Sequence, residues 1–392
     1  MEGLPVYLDG FATCPLAPEA RDAMMLASLY PGNPGSPHHA GARASTIVDQ
    51  ARQEVASLIG ADASEIVFTS GATEADNLAI RGIAMGALRS GSARRKIVVS
   101  AIEHKAVLEA AYSLRADGFE VLLAPVTAEG IVDVGATERL IDSATLLVSI
   151  MLANNETGAL QPVRSLAAIA HDKGALFHCD AAQAAGRIPV DVDELEVEYL
   201  SISAHKMYGP MGVGALYVAS GAPKPIPLSF GGKQEGAMRP GTEPTYLLAA
   251  FGVAARLARS QLCEDIEHGR ALVRSFCDSL SSRGLNYAIT SGSASVLPGA
   301  LSIAVDGVSA DSLVASLSPI ASISTGSACT SGQLLPSHVL LAMGIPLDRA
   351  QSVVRLYFGR YNTHAEVESV AQAFVQAVRR QLVLLDGSAS RM

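Results

Sequence analysis

Cys329 sits in STGSACTSG (324–332), a run of small residues around a single thiol. No apolar period crosses the run, so neither a helix nor a strand claims it. Four roles are open to such a thiol: metal ligand, half of a disulfide, inert filler, or nucleophile on a loop. Lys206 lies in SISAHKMYGPMGVGALYV (201–218), after an apolar strand-like run and before a series of glycines. The chain has six lysines, and the other five (96, 105, 173, 224 and 233) stand in charged, Gly-rich or Pro-rich surroundings that suit a solvated surface. A lysine closing an apolar strand is desolvated, which favours its neutral, nucleophilic form and imine formation with a carbonyl. A turn with one exposed lysine is the plain alternative. Ser203 and His205 flank Lys206, within reach of a common anion.

HCDAAQAAGR (178–187) closes another apolar run. A carboxylate buried there, Asp180, needs a cationic partner. A pyridinium nitrogen is such a partner, and a lysine imine with an aspartate on the ring nitrogen is the pattern of a pyridoxal phosphate (PLP) site. Gln183, three residues on, can donate to a ring oxygen. The same aspartate also suits a helix N-cap, and Cys179 suits a small core hydrophobe. TSGATEADN (69–77) is a Gly turn leading into a helix, whose free N–H groups and Thr73 hydroxyl suit a phosphate, although many helices begin this way. EHKA (103–106) puts His104 after the next strand, placed to stack on a planar cofactor or to serve the structure alone. NNETG (154–158) is a further polar turn at a strand end.

These residues share a position: each follows an apolar run. SEIVFTSG, KIVVSAIEH, TLLVSIMLANN, ALFHCDAAQ and YLSISAH alternate with helix-like stretches such as ATEADNLAIRGIAMGAL, KAVLEAAYSLRA and VRSLAAIAHDKG. That is the βαβ grammar of a doubly wound α/β sheet, whose ligands sit at the carboxyl ends of the strands. From about residue 250 the pattern changes. One long helical stretch (246–284) leads to a strand-like ALSIAVDGV, the Cys329 segment, SVVRLYFGR and a last helix over 365–385, which read as a smaller α+β unit. The tail DGSASRM is expected to be disordered. The first 15 or so residues are extended and Pro-punctuated.

Composition narrows the function. The 392 residues suffice for a large core and two domains. Runs such as ATLLVSIMLA (144–153) are far shorter than the roughly 20 apolar residues of a membrane span. The first residues lack the basic and apolar regions of a secretory signal. Five scattered cysteines with no C-x-x-C argue for a reducing compartment, hence a cytoplasmic location, and against a dithiol or zinc site. His38-His39 has no accompanying ligand cluster, so no metal is expected. A net charge of −9 gives no basic field for direct nucleic-acid binding. No G-x-G-x-x-G follows the first strand, and Gly232-Lys233 continues into Gln, so Rossmann and Walker A loops are absent.

In combination these motifs resemble the cysteine desulfurases of the NifS/IscS type, PLP enzymes of the class V aminotransferase group (fold type I). The resemblance runs from VYLDGFATCPLAPEA and GNPGSPHHAGARA through VFTSGATEADNLAI, EHKAVLE, NNETGALQPV, HCDAAQAAGRIPVDV, SAHKMYGPMGVGALYV, RPGTEP and STGSACTSG to RLYFGRYNT. GSACTSG looks like the long-Cys-loop subgroup. The resemblance implies a large PLP-binding domain (16–250) with a mainly parallel seven-stranded sheet between helices. It implies a small domain (1–15 and 251–392) carrying the catalytic loop (324–335). Lys206 would hold PLP, Asp180 would pair its ring nitrogen, Gln183 its ring hydroxyl, and His104 would stack on it. Thr73, Ser203 and His205 would hold the phosphate, joined by Thr242 from a second subunit of a homodimer. Asn155 and Arg355 would bind the carboxylate of L-cysteine, and Arg suits that task because its fork matches a carboxylate bidentately. Cys329 would take the sulfur as a persulfide, leaving alanine, with His104 a candidate proton carrier.

The segment 324–335 is accordingly expected to be mobile, since Cys329 must reach a buried cofactor and then present its sulfur outside. Two departures stand out. Cys14 replaces a usual threonine, and GGKQEGAMRPGT (231–242) loses an arginine at Gly236 and carries Pro240 before Gly241. The sulfur acceptor stays open between iron–sulfur assembly, tRNA thiolation and DNA phosphorothioation. A selenocysteine lyase or another class V aminotransferase is the alternative enzyme, and a PLP-fold scaffold for sulfur-transfer partners the alternative of another class.

Overall fold

The structure is a computed structural model describing residues 4–326 and 337–389. β1 (Val6–Tyr7) opens it. Seven strands then form the main sheet: β2 (Ile66–Thr69), β3 (Lys96–Ser100), β4 (Glu120–Ala124), β5 (Thr145–Ser149), β6 (Leu176–Asp180), β7 (Tyr199–Ser203) and β8 (Gly214–Val218). Their spatial order is β2-β8-β7-β6-β5-β3-β4. Only β8 runs against its neighbours; the other pairs are parallel. β5, β7 and β8 are buried at every residue, as strands covered on both faces must be.

Alternation along the strands feeds two cores. Val98, Val148, Phe177, Leu200 and Ile202 pack to one side, under α2 (His39–Leu58) and later helices, while α1 (Pro18–Ser28) packs in a separate small cluster. Ile97, Val99, Leu147 and Tyr199 pack to the other, under α3 (Ala72–Arg89) and α4 (Lys105–Ser113). The first side is completed by α5 (Val163–Asp172) and α6 (Thr245–Ser260), which bury Leu166, Leu248 and Phe251 there. His38 accepts a hydrogen bond from the Gly41 N–H at 3.2 Å and so caps α2, a local role for one member of the histidine pair.

The second unit comprises α7 (Leu262–Ser282), β9 (Ala288–Ile289), β10 (Ala300–Ala304), α8 (Ala310–Leu317), β11 (Ala321–Ser322), β12 (Ser324–Thr325), α9 (His338–Ala342), β13 (Val353–Tyr357) and α10 (His364–Ala389). β12-β13-β10-β9 form an antiparallel sheet, and β1 pairs in parallel with β11. Its core joins Leu8 to Leu272, Phe276, Ile303, Leu356 and Phe374, so the start of the chain packs with its end.

Two sequence expectations need correction. The helical stretch over 246–284 divides at Gln261, where φ −105° and ψ 4° break the helical path. α6 packs on α1 and α2, whereas α7 enters the second core, so a division at 250 cuts through α6. The last helix also continues to Ala389, taking in four residues of the tail expected to be disordered. Cys329 and most of the loop expected to be mobile lie outside the described residues.

Candidate active site

Lys206 follows β7 in a single 3-10 turn. Its ammonium donates to the carbonyls of Phe11 and, at 2.8 Å, Ala12. It is half-buried and not fully desolvated. His205 Nδ1 lies 3.0 Å from Thr13 Oγ1, and burial pushes His205 down to about 4, so its ring is neutral. Cys14 is buried with its Sγ 3.3 Å from the Lys206 carbonyl. Tyr208, two residues on, holds φ at +63°, and its hydroxyl accepts the Arg360 N–H at 2.8 Å. A side chain other than Gly or Asn in that region is strained, so the contact with Arg360 fixes an uncommon backbone beside Lys206.

Asp180 closes β6, 5% exposed, and accepts the Ala182 N–H at 2.8 Å. Burial pushes its carboxyl up; the Ala182 N–H, then His104 and Lys206, pull it back. His104 caps α4 by accepting the Ala106 N–H at Nδ1 (3.2 Å), and burial pushes it down, so a neutral ring faces the cleft. Gln183 donates to the Phe11 carbonyl at 3.0 Å and accepts from Arg187 Nη1 at 2.7 Å. Arg187 was not singled out from the sequence. It is 4% exposed, donates to the carbonyls of Gly10 (2.6 Å) and Lys206 (3.1 Å), and lies 4.0 Å over the Tyr357 ring. Its only sequence signal was its spacing, four residues from Gln183 in the HCDAAQAAGR motif.

The N-terminus of α3 is the candidate anion cradle. Gly71 (φ +151°) lets the chain enter the helix with no side-chain cap on its first amides. The Ser203 hydroxyl faces this turn, 3.8 Å from where a Gly71 Cβ would stand. Gly214 permits the close approach, since a Cβ there would meet the Gly71 Cα at 2.7 Å. Thr73, two residues into α3, is exposed, free to turn toward a bound anion. Thr242 is also exposed, and it makes no described contact with this turn. Its segment is held by Glu235, which accepts from Arg52 (2.7 and 2.8 Å) and from the Phe68 N–H (2.8 Å). Glu235, Gly236 and Ala237 all take positive φ, so the altered sequence carries an alanine at +65° where the backbone favours glycine.

Arg355, on β13, is 3% exposed. It donates to the Asn155 carbonyl (2.8 Å), to Ser324 Oγ (3.1 and 2.8 Å) and to Asp9 Oδ1 (3.1 Å). These bonds engage four of the five N–H groups a guanidinium has. The bidentate fork expected for a substrate is therefore largely taken in this state. Asn155 Oδ1 is buried with no hydrogen-bond partner among the described residues, an orphaned polar atom at the cleft. Glu156 accepts from the Ser337 hydroxyl and packs on Gly326, holding the two flanks of the Cys329 segment together.

A nucleophilic amine, a carboxylate at a strand end, a neutral imidazole and an uncapped helix N-terminus fit the aldehyde, ring nitrogen, ring face and phosphate of PLP. This sheet and site define a PLP-dependent enzyme of fold type I. The profile of the aminotransferase class-V family matches residues 6–370, and the chain belongs to that family. It is 39% identical over 383 residues to a cysteine desulfurase IscS of Rickettsia bellii (strain OSU 85-389), covering 96% of this chain and 92% of the relative. A solved NifS-like protein superposes with a TM-score of 0.89 at 35% identity, over 96% of this chain and all of the other. SspA, solved in complex with cysteine, gives 0.79 at 33% identity, over 91% and 100%. The activity is that of a PLP-dependent cysteine desulfurase, acting on L-cysteine.

Proposed function

We propose that Cys329 receives the sulfur of L-cysteine as a persulfide and hands it to an acceptor protein, while Lys206, Asp180, Gln183, His104, Thr73, Ser203 and His205 hold PLP. The observation that supports this best is the convergence of Lys206, Asp180 and the α3 N-terminus at the carboxyl ends of β7, its neighbour β6, and β2 beyond the antiparallel β8. PLP supplies an electron sink for the substrate's carbon skeleton. Asp180 is buried at the end of β6, where burial pushes its carboxyl up, and a cationic ring nitrogen would supply the counter-charge that this site calls for. Asn155 and Arg355 orient the substrate carboxylate, and Lys206 Nζ moves the proton at Cα. The Cys329 thiolate attacks the substrate sulfur: an S–S bond forms, the Cβ–S bond breaks, and its electron pair returns to the carbon skeleton, which takes up a proton and leaves as alanine. A free thiol is only a few per cent thiolate at neutral pH, so a proton acceptor speeds the attack; His104 Nδ1 is taken by the Ala106 N–H in this state, which leaves Nε2 as a proton donor to the cleft.

The enzyme works as a homodimer in the cytoplasm, with Thr242 of one subunit completing the phosphate site of the other. Exposed Leu29 (66%) and Phe230 (78%) suit such an interface. No helix among the described residues is long and apolar enough to cross a membrane. The acceptor is a sulfur carrier for iron–sulfur assembly, tRNA thiolation or DNA phosphorothioation. Turnover with L-cysteine and a reductant tests the assignment by measuring sulfide and alanine. Cys329→Ala should bring sulfide to near zero with PLP retained, and Lys206→Ala should abolish turnover. Wild-type sulfide release from Cys329→Ala would remove Cys329 from its role.

A further inference from the structure

Asp9 follows β1 and bridges to Tyr357, at the end of the strand that carries Arg355. Its Oδ1 lies 3.1 Å from Arg355 Nη2. Ser324 Oγ completes a triangle: it donates to Asp9 Oδ1 at 2.8 Å and accepts from Arg355 Nε at 3.1 Å and Nη2 at 2.8 Å. One donor and two acceptor sites are all a hydroxyl has, so Ser324 is fully used. A buried guanidinium with no counter-charge is strongly unfavourable, and Asp9 supplies the counter-charge before any substrate arrives. A carboxylate thus already stands on the group that would receive one.

We propose that Asp9 is a resident competitor for the α-carboxylate of the amino acid, setting substrate and product affinity by sharing Arg355. This rests on the reading that Arg355 receives that carboxylate. The chemistry gives such a competitor a purpose. L-Cysteine and L-alanine carry the same carboxylate, so any affinity gained at Arg355 also retains the product. Binding that is equal in ground and transition states lowers KM without raising kcat. A paired arginine keeps orientation while limiting that uniform affinity. Asp9 is 21% exposed at its side chain, against 3% for Arg355, so it has room to yield when a substrate carboxylate enters.

The test is titration of the holoenzyme with L-alanine, followed by the cofactor's absorbance and by calorimetry. Asp9→Asn keeps an oxygen for the Ser324 hydroxyl and for Arg355 while removing the charge. Its Kd for L-alanine should fall at least about five-fold, with KM for L-cysteine falling alongside, because a guanidinium no longer neutralised attracts a carboxylate more strongly. Asp9→Glu should restore wild-type affinity. A purely structural role for Asp9 gives the opposite sign, since a displaced Arg355 binds alanine more weakly. Arg355→Ala separates the two readings. If it weakens alanine binding while Asp9→Asn does not tighten it, the competitor role is overturned and the assignment of Arg355 stands. If Arg355→Ala leaves alanine binding unchanged, the assignment of Arg355 falls, and this proposal with it. The wild-type protein supplies a check that needs no variant. With Arg355 already neutralised, L-alanine should be preferred over L-alaninamide by no more than about ten-fold. A preference beyond about a hundred-fold overturns the proposal.

Discussion

Arg187 sends one nitrogen to Gln183 and another to the carbonyls of Gly10 and Lys206, with its plane stacked on Tyr357. It therefore fixes the Gln183 amide, the Gly10 backbone and the backbone of Lys206 together. A lysine in its place keeps the charge but has neither the fork nor the flat face. Arg187→Lys should cost about 2–4 kcal/mol in chemical denaturation through orphaned carbonyls and lost stacking. It should also lower PLP affinity, measured by cofactor release during dialysis. A variant as stable as wild type would show that these carbonyls find other donors. Arg187 also marks what the sequence hides. Lys206 and Asp180 were legible because each closes an apolar strand, a local pattern. Asp9 and Arg187 were not, because their roles depend on partners 346 and 177 residues away, brought near only by the fold.

At the scale of elements, the same locality explains which parts of the fold the sequence disclosed. β2, β3, β5, β6 and β7 announced themselves as apolar runs and α3 as a helix-like stretch, whereas the break at Gln261 did not, since the helical period continues on both sides of it. The clasp between β12 and α9 is a contact of this hidden kind. Gly326 and Ser337 meet at Glu156, which lies 5% exposed after β5. Burial pushes Glu156 up to about 7, with the Ser337 hydroxyl, then Arg355 and Lys105, opposing. An acid whose folded pKa is raised costs the fold nothing below its unfolded value, and the cost grows until pH passes the folded value. For Glu156 that window runs from about 4.5 to about 7. Glu156→Gln keeps an acceptor for Ser337 and removes the titration. Relative to wild type it should gain stability as pH rises through this window, by up to about 3 kcal/mol, and the gain should stay level above it. Urea unfolding of both proteins at pH 4.5, 6 and 8 measures this. A stability difference that does not change with pH would place an ordinary carboxyl at Glu156.

The whole molecule raises the question of what Thr242 is for. It lies exposed at the end of a segment pinned by Glu235 to Arg52 and by Arg239 to Glu74 at 3.0 Å, and it makes no described contact with the α3 turn of its own chain. Under the proposed function, Thr242 acts on the phosphate site of a second copy. Mixing two impaired subunits tests this without any structure of the dimer. Lys206→Ala lacks the amine but keeps Thr242; Thr242→Ala keeps the amine but lacks the hydroxyl. If Thr242 works across the interface, a mixed dimer holds one site with both defects and one with neither. Desulfurase turnover and PLP affinity should then reappear when the two proteins are unfolded and refolded together, in proportion to the mixed species. If Thr242 works within its own chain, every site of the mixed dimer carries one defect and nothing is recovered. The outcome also bears on Pro240 and Ala237. A rigid proline and an alanine at positive φ restrict how far the segment can swing, so recovery in the mixed dimer would mean that its present course already suits the neighbouring subunit.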